Sequence, residues 1–400
     1  MKILELFGGI GACTKAFKRL GIPIEVVDYV EIDKYAVASY NAINGTSFEP
    51  QDITKWNKDI DVDFIMHGSP CQDFSVAGKG KGGDEGSGTR SSLMYETIRI
   101  VNKLKPKYVL WENVKNLLSK KHIHNFRNYI STMNELGYNS YYQVLNSKDY
   151  GIPQNRERVF TLSIRQDIDN GTFTFPKPME LELKLKDMLE NEVDKKYYLS
   201  DKMTAYISAN NDKWTGNNSE SIINKDIAST INTGEGQRRC DASNYICNKL
   251  PDNYNIKIKN NTKPDCLGVV VKNKRLQETL EKNRNKLQDN SFINSYNRQV
   301  DNSGLSGTIT TGVSFRNETH IINDLRIRKL TPKECWRLMG FNDSDFEKAE
   351  KVNSNAQLYK QAGNSIVVNV LERILENLFL KNENDFEGQV TFEMIGGNKW

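Results

Sequence analysis

Over its first 165 residues the chain alternates short apolar runs with amphipathic stretches. The runs Lys2–Phe7, Glu25–Val30, Phe64–His67, Tyr108–Trp111, Ser140–Leu145 and Val159–Ile164 are rich in β-branched, aromatic and aliphatic residues, which predicts strands. Between them, apolar residues recur at helical spacing over Thr14–Leu20, Tyr35–Ile43, Leu93–Leu104 and Ile123–Leu136. Strands alternating with helices imply βαβ units, hence an α/β fold with a doubly wound, mostly parallel sheet. Such sheets bind ligands at the carboxyl ends of their strands, so the residues just past each run are where chemistry is sought.

Past about Gln166 this pattern dissolves. As far as about Asn323 the chain is rich in Asn, Lys, Ser, Thr and Gly, with short β-like pieces such as Cys266–Val271 and His320–Ile322. Two pieces repeat, Ala228-Ser-Thr-Ile-Asn-Thr-Gly234 and Ser306-Gly-Thr-Ile-Thr-Thr-Gly312. They are either two similar strand-turn units or a repeated element that touches substrate. Regular patterning returns at Leu325: Thr331-Pro332-Lys333-Glu334 is a helix start with Thr as N-cap, Pro first and Glu third, and an amphipathic helix is expected over Ser365–Leu380. The expected division is a first domain over 1–180, a smaller, irregular β-rich domain over 181–355, and a helix and tail over 356–400 that return to the first.

Composition adds mainly exclusions. A chain of 400 residues with 38% hydrophobic and 26% charged residues can build two cored domains. It contains no run of about 18 apolar residues, and Met1 opens directly into a strand, so neither a membrane span nor a signal peptide is expected and the cytoplasm is the expected compartment. A net charge of +4, with 17 basic to 12 acidic residues over 202–323, is too mild to name a partner. Cys13, Cys71, Cys240, Cys247, Cys266 and Cys335 form no Cys-x-x-Cys pair and have no histidine at zinc-finger spacing, so no metal site or disulfide framework is expected.

The candidate chemistry lies at strand ends. Leu6-Phe7-Gly8-Gly9-Ile10-Gly11-Ala12 leaves the first strand for a helix, where glycines let a ligand approach the backbone. Glu31 follows the second strand, placed to grip ribose hydroxyls, and Asp52 could accept from an adenine amino group. Thr14 breaks the Gly-x-Gly-x-x-Gly pattern, which argues against NAD or FAD. After the third strand comes Gly68-Ser69-Pro70-Cys71-Gln72-Asp73-Phe74-Ser75. A lone cysteine is ordinarily a small buried hydrophobe; on a loop at a strand's carboxyl end it is displayed as a nucleophile. The glycine-rich stretch 78–88 lacks P-loop order and suits a mobile lid, its Lys79 and Lys81 available to phosphates. Glu112-Asn113-Val114 follows the fourth strand, where burial raises a carboxyl's pKa. In Gln154-Asn155-Arg156-Glu157-Arg158, alternation sets Gln154, Arg156 and Arg158 on one face, either an ion-paired edge or a clamp for an anion or base.

With these blocks in this order, joined by Arg328-x-Leu330-Thr331-Pro332-x-Glu334 and Gln361-Ala362-Gly363-Asn364-Ser365, the chain resembles the DNA (cytosine-5) methyltransferases. The resemblance covers nearly everything outside 166–323. It implies the class I methyltransferase fold, Rossmann-like, with a target-recognition domain, S-adenosylmethionine as methyl donor, and double-stranded DNA as partner. Cys71 would attack C6 of a flipped cytosine, Glu112 would contact N3 and the amine, and Arg158 and Arg156 would support the activated base. Phe7, Gly8, Ile10, Gly11, Glu31, Ile32, Asp52, Ile53, Pro70, Leu93, Asn364 and Ser365 would line the donor site. Gln72, Ser75, Lys79, Lys81, Gln154, Thr230, Thr233, Thr308 and Thr311 would face DNA. It further implies a monomer near the nucleoid of a prokaryote or phage-infected cell, with a cognate restriction endonuclease as functional partner.

Three positions depart from the family's common pattern: Ile32 stands where an aromatic residue is frequent, Ser69 where Phe is frequent, and Gln51 where Gly is frequent. None removes a reactive group, so activity is expected, with cofactor affinity the property most exposed to change. A tRNA cytosine-5 methyltransferase is the nearest alternative, but the Cys-Phe-Thr signature of that type is absent. A catalytically silent DNA-binding module of the same fold is opposed by the intact Cys71, Glu112 and Arg158.

Overall fold

The apolar runs become strands with ends close to those the pattern predicts. A computed structural model describes residues 1–70, 93–198, 226–231, 233, 245–249, 291–294, 299–301, 319–322 and 325–380. The strands of the first part are β1 Lys2–Leu6, β2 Glu25–Val30, β3 Phe64–His67, β4 Tyr108–Val114, β5 Tyr138–Asn146, β6 Gln154–Asn155 and β7 Glu157–Arg165. The helices are α1 Ala12–Arg19, α2 Lys34–Asn44, α3 Met94–Leu104 and α4 Ile123–Glu135. One sheet has the order β2-β1-β3-β4-β7-β5, with β2, β1, β3 and β4 mutually parallel and β7 antiparallel to both neighbours. Glu112 and Asn113 lie inside β4, not after it, because β7 continues the ladder and pairs them with Phe160 and Val159.

Both faces of this sheet are covered. Phe64 and Tyr108 sit side by side in register and meet Phe17 of α1 and Phe379 of the last helix, with ring centroids 5.3 Å and 5.2 Å apart. Three residues on, alternation turns His67 and Trp111 to the other face, against Tyr129 and Phe126 of α4.

The chain divides into two compact units. The first is Met1–Leu189 with Asp226–Gln237 and Pro332–Trp400; the second is Glu190–Lys225 with Arg238–Thr331. The first unit thus takes in 332–355, which the sequence division assigned to the smaller domain. Polar contacts explain the grouping: Lys15 on α1 pairs with Asp345 at 2.7 Å, and Asn353 donates to the Tyr35 carbonyl and the Ser39 hydroxyl of α2. Its helices are α5 Pro332–Arg337, α6 Asp343–Glu350, α7 Asn355–Asn364 and α8 Val368–Phe379. The short strand β8, Ala228–Ser229, also belongs here and pairs with β6. The second unit carries β9 Tyr245–Lys249, β10 Ser291–Asn294, β11 Gln299–Asp301, β12 Thr319–Ile322 and β13 Leu325–Lys329, paired antiparallel as β9 with β13 and as β10 with β11 and β12. Cys266–Val271 lies outside the described residues.

The turn after β1 is fitted to two tyrosines. The rings of Tyr29 and Tyr40 stack with centroids 3.9 Å apart. A Cβ on Gly8 would come within 2.6 Å of the first ring, and one on Gly11, where φ is +83°, within 2.7 Å of the second. Phe7 adopts φ +54°, a conformation costly for a bulky L-residue. Beneath the turn Glu5 is fully buried; its Oε1 accepts from the Thr14 hydroxyl and, at 3.1 Å, from the Thr14 N–H at the start of α1. Desolvation outweighs these bonds and lifts the carboxyl to about 7.

Two outcomes follow from this turn. Gly11→Ala adds left-handed strain and a ring clash, and is expected to cost on the order of 2–4 kcal/mol in urea unfolding. For Glu5 the folded value lies above the unfolded one, so its penalty is absent below pH 4.5, grows as the pH rises and is complete above about pH 7. Denaturation of Glu5→Gln beside wild type across that window should show the difference moving toward the variant by about 3 kcal/mol; a flat difference would refute a buried, protonated Glu5.

Candidate active site

Because β1 to β4 run parallel, their carboxyl ends bring four sequence blocks to one edge. The Gly9 N–H donates to Glu31 Oε2 at 3.2 Å and the Asp33 N–H to Oε1 at 2.8 Å, so the glycine turn and the segment after β2 orient one carboxylate between them. Burial pushes the Glu31 carboxyl up, and these N–H groups pull against it. Ile32 beside it is 69% exposed. Asp52 follows on the next loop; the Thr54 hydroxyl and N–H donate to its Oδ1 at 2.8 and 3.0 Å and hold its carboxyl below the usual range. Ile10 and Ile53 are buried beneath, Pro70 and Leu93 are half-buried, and Asn364 is exposed.

A second cluster forms around Glu112. Its Oε1 pairs with Arg158 Nε at 3.0 Å, both side chains being mostly buried. The other oxygen, Oε2, would lie 3.9 Å from a Cβ placed on Gly68, so this carboxyl faces the backbone that leads to Cys71. Burial pushes the Glu112 carboxyl up, while Arg158 and then Arg156 draw it down. Ile366 approaches Gly68 at 3.7 Å on the same criterion, which brings the Asn364–Ser365 segment to this edge.

Two residues expected to face substrate lie deeper. Gln154 has no exposed surface: its Nε2 donates to the Leu338 carbonyl at 2.7 Å and its Oε1 accepts from the Ile231 N–H at 3.0 Å. Arg156, 3% exposed, donates to the carbonyls of Ile231, Gly363 and Ser365 at 2.8, 3.0 and 2.9 Å. Alternation does set Gln154 and Arg156 on one face, but that face points into protein. The Thr230 hydroxyl donates to the Asn155 carbonyl, and Thr233 is exposed. Cys71, Gln72, Ser75, Lys79, Lys81, Thr308 and Thr311 lie outside the described residues.

Sequence reasoning gave no role to the residues that anchor the loop before Cys71. Trp111 Nε1 donates to the Ser69 hydroxyl at 3.0 Å and Asn113 Nδ2 to the Ser69 carbonyl at 3.4 Å. Behind them His67 is fully buried, pushed down to about 3 by desolvation and hence neutral, with Nε2 3.1 Å from the Tyr129 hydroxyl. The available signal was an indole ending a buried strand, which needs a polar partner.

Comparison with known proteins agrees with this geometry. The profile of the C-5 cytosine-specific DNA methylases matches residues 1–380. The chain is 30% identical to the type II methyltransferase M2.ScrFI of Lactococcus lactis subsp. cremoris, over 95% of this chain and 99% of that protein. It is 31% identical to the orphan methyltransferase M.SPRI of Bacillus phage SPR over 94% and 97%, and 32% identical to the type II methyltransferase M.HhaI of Haemophilus parahaemolyticus over 94% of each. Among solved structures, the S. pombe Dnmt2 methyltransferase superposes with a TM-score of 0.60 at 20% identity, over 94% of this chain and 98% of that one, a likeness of fold. With the strand-end blocks and the profile in agreement from the first strand to the last helix, the chain belongs to the C-5 cytosine-specific DNA methylases.

Proposed function

We propose that the chain transfers a methyl group from S-adenosylmethionine to C5 of a cytosine within a short duplex DNA sequence. The observation that carries this reading is the buried Glu112 carboxyl, one oxygen held by Arg158 and the other directed at the Gly68 backbone. C5 of cytosine is a poor nucleophile. Addition of the Cys71 thiolate to C6 gives C5 enamine character, and Glu112, raised by burial, holds a proton for N3 as negative charge develops. S-adenosylmethionine supplies, when bound, a methyl group activated on a sulfonium. Once C5 has taken that methyl, leaving S-adenosylhomocysteine, a base removes the C5 proton, Cys71 is expelled as thiolate and N3 returns its proton to Glu112, restoring the ring. Arg158 keeps the Glu112 carboxyl aimed, whereas Arg156 acts as a positioning residue through the Gly363–Ser365 backbone. Since the ring is stacked inside a duplex, the cytosine is flipped out to reach Cys71.

The residues present suit an adenosine group. Glu31 is pre-oriented for ribose hydroxyls, and exposed Ile32 offers an apolar surface that an adenine ring would cover. The second unit, Glu190–Lys225 with Arg238–Thr331, would read the target sequence. The enzyme would act as a cytoplasmic monomer on nucleoid DNA, with any cognate restriction endonuclease a functional rather than a physical partner.

Base-resolution 5-methylcytosine mapping of plasmid incubated with S-adenosylmethionine is the test. Wild type should methylate one short motif, Cys71→Ala none, and Glu112→Gln should be slower by about 10²–10⁴-fold. Label transferred to tRNA with plasmid left blank would move the substrate to RNA. No transfer to either by folded protein that binds the donor would leave a silent DNA-binding module.

A further inference from the structure

Glu31 and Asp52 stand on different segments, joined by a main-chain bond and by a side-chain brace that the glycine common in this family could not make. Gln51, next to Asp52, donates its N–H to the Glu31 carbonyl at 2.8 Å. Its side-chain Nε2 donates to the Tyr29 carbonyl at 2.8 Å and to Asp28 Oδ1 at 2.9 Å. Asp28, 3% exposed, also accepts from Trp56 Nε1 and Lys58 Nζ, each at 2.7 Å, and from the Tyr29 N–H at 3.0 Å. On the far side of the loop, Arg99 of α3 donates to the carbonyls of Ile53 and Trp56 at 3.0 and 2.9 Å. The Asp52 segment is therefore tied at both ends, to β2 before the carboxylate and to α3 and Asp28 after it. Glycine at position 51 would keep the main-chain bond to Glu31 and lose both side-chain bonds.

We infer that Gln51 and Asp28 are positioning residues that set Asp52 at a fixed distance from Glu31, so that the chain selects an adenine base in its methyl donor; this rests on the cofactor reading above. A carboxylate held in place accepts from the exocyclic amine of adenine and repels the carbonyl that replaces it in hypoxanthine. A loosely held carboxylate swings aside and loses both effects. Ordering the loop before binding also removes that cost from the binding step.

The test uses the full chain and isothermal titration with S-adenosylhomocysteine and S-inosylhomocysteine, which differ in that one base substituent. Wild type should prefer the adenosyl compound. Gln51→Gly should weaken it about tenfold, the scale of hydrogen bonds to a charged group, while the inosyl compound and duplex DNA bind almost as before. Gln51→Met fills the same space without hydrogen bonds and should behave alike, which keeps the test open if the glycine variant fails to fold. A folded variant with an unchanged adenosyl-to-inosyl ratio, whether both affinities fall or neither does, overturns the brace. Wild type that binds neither compound overturns the cofactor reading itself, a failure distinct from the first.

Discussion

One buried guanidinium closes the first unit on itself. Arg156 donates to carbonyls at positions 231, 363 and 365, which lie 75, 207 and 209 residues along the chain. A cation at 3% exposure needs acceptors, and three backbone carbonyls take the bonds of its two terminal nitrogens, with the buried Glu112 carboxyl as an electrostatic counterpart. The chain has left its first fold and returned, and this side chain is where departure and return are joined. That join holds the Gly363 and Ser365 backbone, so the proposed donor site would depend on a residue that need not touch the donor.

Two residues further along β7, Arg158 has a different task. It meets a carboxylate, and the two partly cancel: burial drives the Glu112 carboxyl toward its neutral form while the guanidinium favours the charged one. The role proposed for Glu112 draws on both effects, since its carboxyl would hold a proton and respond to charge developing on a bound base. Glu5 shows a contrasting case within the same unit, buried with hydrogen bonds from Thr14 where Glu112 has a guanidinium, its carboxyl lifted to about 7.

Much of this was legible in the sequence. The six strands of the large sheet follow from short apolar runs and the four helices from apolar residues at helical spacing, the signal being strongest in inner strands such as β3, buried throughout. The blocks at their ends could be placed because parallel strands point one way. The misreadings have physical causes. Alternation set Gln154 and Arg156 on one face, read as an ion-paired edge or a clamp for an anion or base; the burial of that face is made possible by acceptors and donors at 231, 338 and 363–365 that no local pattern reveals. Stretch 332–355 was assigned to the smaller domain because its membership in the first unit rests on contacts such as Lys15 with Asp345, across 330 residues. The Asp28–Gln51 bond was hidden for the same reason, since two polar residues 23 apart carry no period.

Strand alternation also explains how the segment before Cys71 and the Glu112 carboxyl are set relative to each other. Along β4, Glu112 projects from one face, while Trp111 and Asn113 on either side of it project from the other, and both donate to Ser69. One strand therefore holds the carboxyl and also anchors the residue two positions before Cys71, so a shift of β4 carries both together. Serine in place of the family's frequent phenylalanine fits this arrangement. An indole N–H on a buried strand needs an acceptor, and a hydroxyl at position 69 provides it where a phenyl ring could not. Ser69, one of the three departures from the family's common pattern, is thereby paired with Trp111.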